Sequence, residues 1–120
     1  MDTRTKILPA GQAARIPNAA CVVGYFDPLL ASHARRLAEI AHQGRPVVVF
    51  IADPPAPLLE AAARAELVAG LGCVSAVAVL GDGPEPALSG LVVLDQRAAD
   101  LESRAWLIRR VRSRHSGGDR

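Results

Sequence analysis

Ten residues, GYFDPLLASH (24–33), bring together a glycine, aromatics, an aspartate ahead of a proline, and a histidine. They follow the apolar run AACVV (19–23) and precede a helix-like stretch, ARRLAEIAHQ (34–43). Such a junction can bind phosphate. Gly24 lets a backbone approach a ligand closely. The N–H groups of the turn and of the next helix's first turn carry positive partial charge. His33 can donate a hydrogen bond to a phosphate oxygen as charge builds on it. The plainer alternative is a strand-to-helix turn in which Asp27 holds its own backbone. Neither G-x-G-x-x-G nor a Walker lysine is present, so the dinucleotide and P-loop motifs are excluded.

The elements that position this junction are readable from hydropathy. Ala19–Val23, PVVVFIA (46–52), Val74–Leu80 and Leu91–Leu94 are apolar without alternation, as strands covered on both faces must be. Between them, Ser32–Gln43 has helical spacing and Gly44 to stop it, and Leu58–Leu71 places Leu59, Ala63, Leu67, Gly70 and Leu71 on one side. Asp100 is placed to cap a last helix running to about Ser113. Continuous apolar strands alternating with amphipathic helices predict a single small doubly wound parallel sheet, Rossmann-like, with helices on both faces. Residues 1–18 read as a polar lead-in, 19–114 as the α/β domain and 115–120 as a disordered tail. In open parallel sheets, ligands bind outside the carboxyl ends of the strands, where GYFDPLLASH lies.

At 120 residues the chain is one domain and can own a core. With Tyr25, Phe26, Phe50 and Trp106 its only aromatics, that core is built from Ala, Val, Leu and Ile. A net charge of +2 does not announce a nucleic-acid or membrane partner, although residues 97–120 are locally rich in Arg. Nucleic-acid binding there lacks aromatic interleaving and a recognised motif. Cys21 and Cys73 have no partners at metal spacing, so no metal site is read from them, and both are expected as small buried hydrophobes. The absence of a leader and of a long apolar run predicts a cytoplasmic protein with no membrane partner.

The junction resembles the G-x-F-D-x-x-H-x-G-H signature of the cytidylyltransferase-like nucleotidyltransferases, closest to the heptose-phosphate adenylyltransferase and glycerol-phosphate cytidylyltransferase branch. The resemblance spans about residues 6–112: PVVVFIAD (46–53) is similar to that branch's second strand, 58–80 to its arginine-bearing helix and third strand, and WLIRRV (106–111) to its last helix. It implies a nucleotidyltransferase-type fold that binds ATP or CTP with Mg²⁺. A nucleotidyl group passes to a phosphorylated small molecule and pyrophosphate is released. It implies His33 as the catalytic residue, and Gly24, Tyr25, Phe26, Asp27, Ser32, Asp53, Arg64 and Ser103 around the nucleotide and phosphate.

The match is partial. Leu30 stands where the first signature histidine belongs, Ser32 replaces the signature glycine, and the loop after Asp53 lacks the family's basic elements. Losing one positioned donor costs on the order of 2.7–4 kcal/mol of transition-state stabilisation. Two readings therefore stand: an adenylyl- or cytidylyltransferase, or a degenerate relative acting as a binding or assembly module, with a homodimer through exposed apolar helix faces.

Overall fold

The computed structural model describes residues 2–81, 92–102 and 108, and in it the apolar runs become strands. These are β1 (Ala20–Gly24), β2 (Val47–Ala52), β3 (Ala76–Gly81) and β4 (Val92–Asp95). Every residue of β1 and β2 is buried, which is why neither alternates in hydropathy. All three pairings are parallel, in the order β3-β2-β1-β4. The chain steps outward from β1 to β3 and returns to the far side of β1 for β4. The order thus reverses between β1 and β4, and a crevice is expected at their carboxyl ends. This is the Rossmann-like α/β fold that the pattern predicts.

The helices are α1 (Ala10–Ala13), α2 (Ala31–Ala41), α3 (Ala61–Ala69) and α4, which starts at 97 and is described to 102. Strand side chains alternate between faces. On one face Ala20, Val22, Val47, Val49 and Ile51 pack with Leu37 and Ile40 of α2 and Ala65, Val68 and Ala69 of α3. On the other, Cys21, Val23, Val48 and Phe50 pack with Ala13 and Ala14 at the end of α1. As the sequence implies, α2 stops just before Gly44, which takes φ 84°.

Several details differ from expectation. The lead-in joins the sheet: Ile7 bridges to Val77, and the Leu8 N–H donates to the Val77 carbonyl at 2.8 Å. This covers part of the open edge of β3. α3 begins at Ala61 rather than Leu58, because Glu60 is extended (ψ 148°) and serves as its N-cap, while Leu58 and Leu59 ahead of it are held by their N–H groups on Asp27. Its inward stripe is Arg64, Ala65, Val68 and Ala69, while Leu67 is 49% exposed. The rotation follows Arg64, whose guanidinium finds backbone carbonyls at the strand ends. Nor does Asp100 cap a helix. It lies inside α4, where its N–H donates to the Gln96 carbonyl, and Asp95 accepts the Arg97 N–H at the helix start. Of the GDGPEP stretch (81–86) that the sequence reads as a loop, Gly81 ends β3, while the rest of it, the expected helix beyond 102 with Ser103 and Trp106, and the 115–120 tail lie outside the described residues.

Candidate functional site

At the carboxyl end of β1 the backbone turns sharply through Phe26, a non-glycine residue at φ 49°. Such a conformation costs on the order of 1–3 kcal/mol and needs support. The Phe26 ring is buried and meets the His33 ring edge-on, with centroids 5.2 Å apart. The turn also aims two successive N–H groups at one point, and Asp100 occupies it. Asp100 Oδ2 accepts from the Tyr25 N–H at 2.7 Å and the Phe26 N–H at 3.4 Å. Its Oδ1 lies 2.8 Å from His33 Nε2. The residue is 4% exposed, so this carboxylate is compensated by protein donors rather than by water.

His33 is committed at both nitrogens. Its Nδ1 accepts the Leu30 N–H at 2.9 Å, which leaves Nε2 to carry the hydrogen that points at Asp100. His33 is the third residue of α2 and Leu30 its N-cap, so the imidazole plays the part of the Glu or Gln in a capping box. Leu30 has no side-chain oxygen for the reciprocal bond. Gly24 is needed for internal reasons too. A Cβ there would lie 2.5 Å from Asp100 Oδ2 and 2.7 Å from the Phe26 ring. The space that sequence reasoning assigned to a ligand is filled by the chain's own groups.

Asp27, 3% exposed, ties this junction to the next one. Its Oδ2 and Oδ1 accept from the N–H groups of Leu58 and Leu59 at 2.7 and 2.8 Å. Arg64, 1% exposed, braces the same region from α3. Its Nη1 donates to the carbonyls of Tyr25 (3.0 Å) and Ala52 (2.7 Å), its Nε to Leu59 (3.1 Å) and its Nη2 to Asp53 Oδ1 (2.8 Å). Four of its five N–H donors are thereby satisfied. Beside it opens a cleft of about 420 Å³ lined by Asp53, Pro57, Leu58, Leu59, Glu60 and Arg64. Ser32 is exposed at the start of α2.

The structure thus assembles Gly24, Tyr25, Phe26, Asp27, His33, Asp53 and Arg64 in one connected cluster, with Ser32 on its rim and Ser103 outside the described residues. Asp100 is the member that the sequence did not announce. No local motif marks a carboxylate 75 positions from the N–H it accepts. The donor set does not fit a resident Mg²⁺. Both oxygens of Asp27 and of Asp100 already accept hydrogen bonds, and Asp53 is paired with Arg64.

Elsewhere, the Arg97 guanidinium holds the Asp95 carboxyl below its ordinary range, and burial pushes the Cys21 thiol up. Among the described residues, no helix is long and apolar enough to cross a membrane. Compared with protein families and with curated proteins, the chain matches no family model and no curated protein.

Proposed function

We propose that this chain is a cytidylyltransferase-like domain that keeps the nucleotidyltransferase fold without the transfer reaction and serves as a binding or assembly module. One observation carries the reading. The Asp100 carboxylate sits on the Tyr25 and Phe26 N–H groups and on His33 Nε2, the donors that the resemblance assigns to phosphate. A phosphoryl group and a buried carboxylate cannot share those donors, since like charges in a low-dielectric site repel strongly. Leu30 offers no hydrogen where the signature has its first histidine, which supports the same conclusion. The exposed Leu58 and Leu67 supply apolar surface to the assembly role, and light scattering of the wild type and Leu67→Ser tests whether the chain forms a homodimer.

The test is pyrophosphate release from ATP and CTP with Mg²⁺ across a panel of phosphorylated acceptors, for wild type and His33→Ala. The expected outcome is no turnover above background in either. Turnover in the wild type that His33→Ala abolishes would sink the reading. It would favour the transferase instead, which has one observation on its side: Gly24, Phe26, Asp27, Asp53 and Arg64 converge at the carboxyl ends of β1 and β2, where a parallel sheet binds ligands.

A further inference from the structure

We infer that the Tyr25–Phe26–His33 cradle is a small oxyanion site, for a carboxylate or a phosphate, that the chain fills from within, so that Asp100 is a built-in ligand delivered by α4. This rests on the reading of the junction as closed in the wild-type chain. Three donors converge on one carboxylate from separate elements. Two are consecutive backbone N–H groups at the end of β1, turned to a common point by the left-handed Phe26, and the third is an imidazole N–H from α2. Successive main-chain N–H groups in such a turn form an anion-binding concavity whatever the source of the anion. The His33 ring is fixed independently of Asp100, through the Leu30 N–H on Nδ1 and the edge contact with Phe26. Gly24 keeps the space clear, since a Cβ would intrude on the carboxylate oxygen. The cradle is therefore held by β1 and α2, and only its occupant comes from α4.

Deleting the occupant leaves three aimed donors without an acceptor, a buried deficit that a free anion can repair. Asp100→Ala should therefore create saturable affinity for sodium formate and for inorganic phosphate, which the wild type lacks because its own carboxylate competes at high effective concentration. Thermal unfolding is followed by circular dichroism at constant ionic strength, for wild type, Asp100→Ala and Asp100→Ala/His33→Ala. The midpoint of Asp100→Ala is expected to rise by about 5 °C at tenfold excess over Kd. The wild type should show only the general effect of salt, and the double variant a clearly smaller rise. Amide resonances of Tyr25 and Phe26 should move with the same titration in Asp100→Ala.

Formate and phosphate distinguish a site tuned to a planar carboxylate from one that accepts a tetrahedral anion, and saturation by either supports the proposal. If Asp100→Ala is unfolded alone, the titration becomes a refolding experiment, and no recovery at saturating anion overturns the proposal. Parallel curves for wild type and Asp100→Ala overturn it as well, as does a double variant that responds like the single one. Wild-type pyrophosphate release would instead overturn the closed-junction reading, so the two failures are told apart.

Discussion

The ends of β1 and β2 share an Asp-Pro pair, in FDP at 26–28 and ADP at 52–54, and come to opposite states. At the first, Asp27 is buried and both its oxygens accept backbone N–H groups. Phe26 is packed, His33 is saturated and Asp100 closes the top. At the second, Asp53 keeps a third of its side chain in solvent, Leu58 is 52% exposed, and a cleft opens beside them. The two are cross-braced, since Asp27 from the first holds the backbone of the second, and Arg64 from behind the second holds the Tyr25 carbonyl of the first. A strand-end aspartate is thus read correctly only with its partners. The closed end supplies stability, and the open end is where solvent can reach.

Breaking the brace should have the largest effect. Arg64→Met keeps much of the volume and removes four hydrogen bonds, orphaning the carbonyls of Tyr25, Ala52 and Leu59. The expected loss is about 3–5 kcal/mol in urea unfolding, a large share of a small domain's stability. Arg64→Lys should recover only part of it, because an ammonium cannot span the same fork of acceptors. Next comes Asp27→Asn. The amide has one oxygen for two N–H donors and presents its NH₂ to the other. A loss of about 2 kcal/mol is expected, with faster hydrogen exchange at Leu58 and Leu59. If Asp27→Asn is silent, the closed end is not what stabilises the molecule.

Much of the frame was legible in the sequence, because burial on both faces writes itself as unbroken apolar runs, and Gly44 marks its own helix end. The site was less so. Hydropathy treats Arg64 as polar and points it outward, yet its partners are main-chain carbonyls that exist as a set only once β1 and β2 lie side by side. Hydropathy likewise groups Leu67 with Leu59, Ala63, Gly70 and Leu71 on one side of α3, yet Leu67 is exposed. Asp100 read as a helix cap from local pattern alone, and nothing near it in sequence reveals that its acceptor atoms are needed at Tyr25 and Phe26. His33 was correctly placed in the first turn of α2. Its chemistry was decided by neighbours that the sequence does not rank.

Gly24→Ala sharpens the comparison by adding one methyl to the closed end. The Cβ meets a carboxylate oxygen and an aromatic ring at distances that force both to shift. Overpacking of this kind costs about 1–3 kcal/mol. Hydrogen exchange at Tyr25 should quicken as Asp100 is pushed away, and a stable variant with unchanged exchange there would mean that the glycine is not reserved for that contact.

The end of β4 supplies the smallest effect and a control for the other two. Asp95 and Arg97 pair there at 49% and 36% side-chain exposure, so screening holds the pair's worth to at most about 1 kcal/mol. Arg97 lowers the carboxyl's pKa in the folded state. A depressed folded value means that the unfolded chain binds the proton more readily, so the contribution is complete above the usual carboxylate range. It fades as pH falls through the lowered value. Asp95→Asn should accordingly lose a small, constant increment between pH 7 and pH 5, and the difference from wild type should shrink only below the ordinary carboxylate value of 3.8. Moderate salt should erase most of that increment at neutral pH while leaving the Asp27→Asn deficit in place, because exposed charges are screened and buried hydrogen bonds are not. Equal salt sensitivity at the two positions would remove the distinction between a closed and an open strand end.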